Sequence, residues 1–208
     1  GDVYGKISNS FGDSNYPSVP YMVNLPNIDS NLRNDLNIPE QAIVFGRHGG
    51  NTQFNIKYVH DVIDKITDEY QNIYFLFLNT DRFCKLKPNI IHLEKIIDLE
   101  RKTEFINTCD AMIHAREMGE TFGSSVAEFS IRNKPVITCF SGDRAHNNIL
   151  KEKCFVYKDV NSLYDIFKDI YTNIDNIKLK DWNAYNEYNP KNIMDKFNEV
   201  FIKPCLTK

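Results

Sequence analysis

The chain has 208 residues, of which 42% are hydrophobic, and a formal net charge of -3 at pH 7. This length and apolar content suit one domain with a single sizeable core and an appendage. Positive and negative charges nearly cancel, so the chain as a whole has no excess of basic residues. Nucleic acid and anionic membrane surfaces are therefore not expected partners. No apolar run approaches the ~20 residues that would span a bilayer.

The number and spacing of the cysteines predict the redox state of the compartment in which the protein is found. The chain has five, widely separated, and no pair forms the C-x-x-C spacing of zinc or redox sites. Reduced core thiols in the cytoplasm are therefore expected, with no structural metal. The sequence starts at Gly1 rather than Met, which suggests a processed or excised product that lacks an upstream domain.

The first 40 residues are predicted to be a linker and N-terminal extension. An apolar run from Val19 to Leu25 interrupts a segment rich in Ser, Asn, Asp and Pro, and predicts a short strand. A small helix is expected from about Ser30.

Residues 41–178 have the pattern of a Rossmann-like α/β domain. Ala42 to Phe45 form the first buried strand, and Asn51 or Thr52 is predicted to cap the helix that follows. Later apolar runs predict strands at 74–78, 90–93, 111–114, 135–139 and 155–157, with helices between most of them. This alternation predicts a parallel sheet with helices on both faces. Residues 179–208 are expected to form a C-terminal helical extension, in which Trp182, Tyr185 and Tyr188 pack rather than bind sugar.

Two loops beyond strand ends carry candidate binding residues. The first, Gly46-Arg47-His48-Gly49-Gly50, allows close backbone approach, and Arg47 offers a guanidinium suited to phosphate oxygens. In isolation this signal is weak, since a structural turn with a surface arginine has the same pattern.

The second loop is more informative, because two carboxylates flank a helix start. Glu120 precedes Phe122-Gly123-Ser124-Ser125, and Glu128 follows Glu120 by eight residues. Free amides at the start of a helix favour a diphosphate, while the carboxylates can accept hydrogen bonds from sugar hydroxyls.

This second loop resembles the E-x-F-G-x-x-x-x-E motif of glycosyltransferase family 4. Lys134-Pro135-Val136-Ile137 follows it, as a K-P-V-I-like strand does in that family, and the similarity extends over roughly residues 18–175. The resemblance implies the C-terminal, donor-binding half of a GT-B fold. It further implies retaining, metal-independent sugar transfer from a nucleoside diphosphate sugar, with no other cofactor, in a cytoplasmic setting. The acceptor, a glycan, lipid or protein, would bind an N-terminal domain that these residues lack.

The resemblance also assigns roles to residues. Arg47 and Glu120 would be catalytic, Arg47 by stabilising the leaving diphosphate and Glu120 by holding the donor sugar, and Glu128 would hold the ribose. The other implied donor-binding residues are Gly46, His48, Gly49, Gly50, Phe122, Gly123, Ser124 and Ser125. The loop from Glu94 to Ile97 would face the base.

The sequence departs from the family at two positions. A lysine expected shortly after Arg47 is absent, so Lys57, His48 or another cation replaces it, or transfer is inefficient. Asn79-Thr80 stands where the family has a glycine after the second strand. Two alternative functions therefore stay open: a nucleotide-sugar epimerase of GT-B architecture, and a non-catalytic binding or scaffolding domain.

Overall fold

Strands and helices alternate along most of the molecule, and the computed structural model describes residues 16–206. Its strands are β1 (Ile43–His48), β2 (Ile73–Leu78), β3 (Ile90–Leu93), β4 (Ala111–Ile113), β5 (Gly119–Glu120), β6 (Val136–Thr138), β7 (Asp143–Arg144) and β8 (Cys154–Val156). Its helices are α1 (Lys57–Glu69), α2 (Leu99–Thr108), α3 (Ser124–Ile131), α4 (Ala145–Leu150), α5 (Val160–Lys178), α6 (Pro190–Phe197) and α7 (Lys203–Leu206). A π-helical turn at Asn198–Ile202 joins α6 to α7.

Six strands form one parallel sheet in the order β3-β2-β1-β4-β6-β8. The predicted Rossmann-like α/β architecture is thereby confirmed. The strand order reverses at β1, because β2 and β3 lie on one side of it and β4, β6 and β8 on the other. Open sheets of this kind bind ligands beyond the carboxyl ends of the strands at such a reversal. The ends of β1 and β4 are therefore where a site is expected.

Side chains of β1 alternate between the two faces of the sheet. Ile43 and Phe45 pack in a core cluster with buried residues of α1 and α5, whereas Val44 packs in a second cluster with residues of α2 and α3. A strand covered on both faces carries apolar residues without alternation, which explains its sequence pattern. Burial on both sides fixes the position at which the last residues of β1 reach the edge of the sheet.

The N-terminal extension contains neither of its two predicted elements between residues 16 and 42. Pro20 and Pro26 remove amide donors that a strand would use, and the segment is instead held by buried side chains and by the Val23 amide, which donates to the Tyr188 carbonyl at 2.8 Å. The predicted helix is a run of turns, because Asn37 adopts a left-handed φ of 53° directly before Ile38-Pro39.

The prediction that Asn51 or Thr52 caps the next helix is wrong. The helix α1 begins at Lys57, with Ile56 as an N-cap that makes no side-chain hydrogen bond. Buried Phe54 and Ile56 tie the intervening residues to the core, and the Asn55 amide donates to the Ala115 carbonyl at 3.1 Å. The glycine loop therefore does not lead directly into a helix N-terminus.

The C-terminal residues fold back onto the domain. Trp182 and Tyr185 are core residues, and the indole nitrogen of Trp182 donates to the Ile177 carbonyl at 2.8 Å. The predicted helix after Pro190 is present as α6, capped by the Asn189 side chain. Within residues 16–206, no helix has the length and apolar character that crossing a bilayer requires.

Candidate functional site

Arg47 lies at the end of β1 and forms hydrogen bonds with the first loop, after β1, and with a separate loop after β2. It is only 5% exposed, and its guanidinium donates to the carbonyls of Gly50 at 2.8 Å and Asn79 at 3.3 Å and to the Thr80 hydroxyl. Burial lowers the pKa of Arg47 to about 10, and the charge of Glu120 opposes that shift. The side chain is thus still cationic at neutral pH, and much of its hydrogen-bonding capacity holds the fold.

The glycines of this first loop have different roles. Gly46 lies inside β1, where a Cβ atom would come within 2.2 Å of the Cys109 sulfur, so its role is close packing rather than ligand contact. Gly49 lines a small cavity between the first and second loops, and its carbonyl accepts a hydrogen bond from the Asn79 side chain at 2.7 Å. Asn79 has a left-handed φ of 49°, the conformation that a glycine would supply most easily.

The second loop is held by contacts between backbones. The short strands β5 and β7 pair in parallel, and the Asp143 amide donates to the Met118 carbonyl at 2.8 Å. A Cβ on Gly119 would lie 2.0 Å from the Asp143 carbonyl oxygen, and one on Gly142 would lie 2.0 Å from the Met118 carbonyl carbon. These two glycines therefore permit the approach that fixes the backbone of Glu120.

Both carboxylate oxygens of Glu120 face nitrogen groups. Arg116 donates to one oxygen at 2.8 Å, and Nε2 of His114 lies 3.5 Å from the other. Burial acts to raise the pKa of Glu120, but the hydrogen bonds and charges of His114 and Arg116 outweigh it and lower that pKa. Glu120 is therefore an anion held in one orientation at the cleft.

A small cavity brings the two predicted loops together at the reversal of strand order. The predicted site residues that line it are Arg47, His48, Gly49, Glu120 and Ser125. Arg116 and His114 line it as well. A wider groove runs on the other side of the second loop, between α4 and α6, and Phe122 borders that groove instead.

The second loop leads directly into α3, and residues at this junction pack in the core. Phe122 is buried, and its carbonyl accepts from the Tyr185 hydroxyl at 2.7 Å. Gly123 is the N-cap residue, with a left-handed φ of 77°, and Ser124 is exposed. Of these residues, Phe122 is thus a packing residue, whereas Ser125 reaches the small cavity.

Glu128, on α3, lies between the side chains of Lys102 and His48. Lys102 of α2 donates to one carboxylate oxygen at 2.5 Å, and Nε2 of His48 lies 3.0 Å from the other, without the alignment of a hydrogen bond. Burial acts to raise the pKa of Glu128, but His48 and Lys102 outweigh it and lower that pKa. Glu128 is thus a second fixed anion, and it is joined to the first loop through His48.

Comparison with known proteins reveals similarity of structure only. No protein-family model matches the sequence, and no curated protein matches it. Sucrose-phosphate synthase from Thermosynechococcus elongatus superposes with a TM-score of 0.70 at 14% identity, over 93% of this chain and 53% of that chain. A glycosyltransferase from Rickettsia africae gives 0.69 at 13% identity, over 94% and 62%. HepE of Anabaena, in complex with UDP-glucose, gives 0.64 at 15% identity, over 81% and 50%.

The fold is that of a GT-B glycosyltransferase domain. This chain spans between half and two thirds of the length of those three solved chains. In this GT-B-fold domain, the cavity between the two loops lies at the ends of β1 and β4, the place that the sheet topology indicates.

Sequence reasoning did not predict that Arg116 pairs with Glu120 or that Lys102 pairs with Glu128. Lys57, one predicted substitute for the absent lysine, is exposed at the start of α1 and does not line the cavity, whereas Arg116 does. Arg116 precedes Glu120 by four residues, a spacing that hinted at the ion pair. Lys102 carries no such local signal, because only tertiary packing brings it to Glu128. The predicted base-facing loop, Glu94 to Ile97, follows β3 and is largely exposed.

Proposed function

We propose that this chain is the donor-binding domain of a glycosyltransferase and binds a nucleoside diphosphate sugar. The observation that carries the proposal is the convergence of both predicted loops on one cavity at the reversal of strand order, with two arginines and Glu120 in its wall. Two guanidinium groups suit a diphosphate, and a fixed carboxylate suits sugar hydroxyls. The UDP-glucose complex of HepE, a protein with the same fold, supports this class of ligand.

In the proposed reaction the bond between the anomeric carbon and the diphosphate breaks, the acceptor oxygen bonds to that carbon with retention, and the proton of the acceptor hydroxyl passes to an oxygen of the departing diphosphate. Negative charge builds on the diphosphate, and Arg47 and Arg116 are the groups that stabilise it. Glu120 holds hydroxyls of the donor sugar and Glu128 those of the ribose. No metal ion is required, because the two guanidinium groups carry the compensating charge.

The acceptor, a glycan, lipid or protein, is proposed to bind a second domain that completes the cleft. We therefore expect this chain by itself to bind the donor but to transfer little or no sugar. A location facing the cytoplasm stays a prediction from the cysteine pattern.

One observation favours a second candidate, a non-catalytic nucleotide-sugar-binding domain. Three hydrogen bonds from the Arg47 guanidinium go to the protein's own loops, which reduces what it can offer to a leaving group. Transfer by this chain together with the proposed acceptor-binding domain separates the two candidates, since a non-catalytic binding domain produces none.

The test is thermal stabilisation of the chain by UDP, GDP, ADP and their sugar conjugates. Binding to the folded state alone adds about 2.7 kcal/mol of stability at a ligand concentration of about 100 Kd. For a chain of this size that amounts to a rise in Tm of roughly 5 to 10 °C. We expect one nucleotide series to give this rise.

Two variants locate the site. Glu128→Gln is expected to reduce the rise by roughly half or more, because the amide cannot accept both ribose hydrogen bonds as a carboxylate does. Glu152→Gln, at an exposed position outside the cavity, is the matched control and is expected to retain it. An undiminished rise in Glu128→Gln, or none with any nucleotide, contradicts the proposal.

A further inference from the structure

Gln53 lines the cavity, although it is not one of the predicted site residues. It shares the cavity wall with Arg47, Arg116 and Glu120. It lies in the segment between β1 and α1, directly before Phe54, which is 5% exposed and packs in the core. Because Phe54 anchors this segment, the backbone that carries Gln53 is held at the edge of the cavity.

Two hydrogen bonds fix the side chain of Gln53 against Gly50. The Gln53 amide donates to the Gly50 carbonyl at 3.1 Å, and the Gly50 amide donates to Oε1 of Gln53 at 3.3 Å. A Cβ atom on Gly50 would lie 2.8 Å from Cδ of Gln53, so the carboxamide packs closely over this glycine. Contacts within its own loop therefore fix the orientation of the carboxamide.

The contact with Gly50 determines which end of the carboxamide is available. A backbone N–H can only donate, so the side-chain atom that faces it is the oxygen and not the nitrogen. Nε2 of Gln53 has two N–H donors, and neither has a partner among residues 16–206. Because Gln53 lines the cavity and its oxygen is turned toward Gly50, its nitrogen is the polar atom that can reach a ligand.

The two arginines of the cavity are partly engaged by the protein itself. Arg47 gives three hydrogen bonds to the loops after β1 and β2, and Arg116 donates to Glu120 at 2.8 Å. Nε2 of Gln53 has no competing acceptor of this kind in the described part of the chain. It can therefore donate to a ligand without weakening either loop and without releasing Glu120.

We propose that Gln53 is a further ligand-binding residue, whose carboxamide nitrogen donates to a phosphate oxygen of the bound nucleoside diphosphate. This inference rests on the proposed function. It adds to that function a neutral side chain, which shares the binding of the diphosphate with the two arginines. A hydrogen bond from a neutral donor to an ionised oxygen is stronger than one between two neutral groups.

Three substitutions distinguish this contact from other roles of Gln53. Gln53→Glu keeps an oxygen that accepts from Gly50 but replaces the two donors with a negative charge. Gln53→Lys does the reverse, since an ammonium group donates but cannot accept. Gln53→Met removes both the donors and the acceptor and adds no charge.

Isothermal titration calorimetry with UDP, GDP and ADP measures the effect of each substitution. For the nucleotide that the wild-type chain binds, we expect Gln53→Met to weaken binding on the order of 10-fold, the effect of one hydrogen bond to a charged group. We expect Gln53→Glu to weaken it at least as much, because the added charge also repels the phosphate. Gln53→Lys should bind at least as tightly as the wild type, since its ammonium group still donates to the phosphate.

Gln41→Glu is the matched control for the added charge. Gln41 is exposed and lies two residues before β1, at the opposite end of that strand from Arg47. We expect this variant to bind the nucleotide as the wild type does. A loss equal to that of Gln53→Glu would show that net charge alone weakens binding, and would overturn the proposal.

Other roles of Gln53 predict different patterns. If Gln53 serves only to hold Gly50, Gln53→Glu retains binding while Gln53→Met and Gln53→Lys both lose it. If only the charge at this position matters, Gln53→Met binds as tightly as the wild type. Either pattern overturns the proposal while the proposed function stands. A wild-type chain that binds none of the three nucleotides contradicts the proposed function itself, and the role of Gln53 fails with it.

Discussion

The two loops that line the cavity are held in place by different kinds of contact. In the loop after β1, the side chains of Asn79 and Arg47 donate to the carbonyls of Gly49 and Gly50, respectively. The loop that carries Glu120 is held by backbone against backbone, at the closely packed Gly119 and Gly142. We therefore expect the first loop to be destabilised when a side chain is removed. We expect the second loop to be destabilised when a single Cβ atom is added to one of its glycines.

The largest expected loss of stability comes from adding a Cβ atom to Gly119 in the second loop. Gly119→Ala places a Cβ 2.0 Å from a carbonyl oxygen at a residue with a left-handed φ of 63°. We expect the free energy of unfolding to fall by about 4 kcal/mol, because both the backbone conformation and the close packing are lost. Chemical denaturation measures the change.

Gly50→Ala, in the other loop, is the matched control. Its Cβ would meet only the flexible side chain of Gln53, at 2.8 Å, which can move aside. We expect a loss below about 1 kcal/mol. Equal losses for the two alanine variants would show that the difference between the loops is not real.

The next effect is a pH dependence that arises beneath the second loop. His146, a residue of α4, is fully buried. Burial holds its pKa at about 4 in the folded chain, below the ordinary value of 6.5, so the unfolded chain binds a proton first as the pH falls. The contribution of His146 to the free energy of unfolding is therefore fully present above about pH 6.5. It is lost progressively as the pH falls to about 4, and the total loss is at most about 3 kcal/mol. The lowered pKa values of His60 and His92 act in the same direction.

His146→Gln isolates this contribution, because glutamine does not titrate. Urea unfolding between pH 7 and pH 5 should give a shallower decline for the variant than for the wild type. Parallel curves would mean that His146 is already protonated in the folded chain near pH 6.

The sequence predicts the sheet well because its strands are long apolar runs buried on both faces, as in β1 and β2. It does not predict β5, β7 or α4, which are short and depend on tertiary contacts such as the approach of Gly119 to Asp143. The same distinction applies at the site. The predicted Arg47 and Glu120 line one cavity, since Arg47 lies at the end of β1 and Glu120 follows β4, its neighbour in the sheet. The pairing of Lys102 with Glu128, in contrast, joins residues of two different helices.

The smallest effect compares the two arginines of the cleft. Arg47 is buried and its guanidinium donates to three acceptors in the loops after β1 and β2, whereas the side chain of Arg116 is 26% exposed and pairs with Glu120. Lysine keeps the charge but cannot reproduce the planar set of donors. We expect Arg47→Lys to reduce the free energy of unfolding by about 2 kcal/mol, since the partly buried carbonyls of Gly50 and Asn79 lose their partner.

Arg116→Lys should cost less than about 1 kcal/mol, because a partly exposed ion pair is screened by solvent. Urea denaturation of both variants, measured without ligand, separates the two roles. A larger loss for Arg116→Lys would mean that the ion pair with Glu120, rather than the Arg47 network, holds the cleft together, and that both loops depend on side chains.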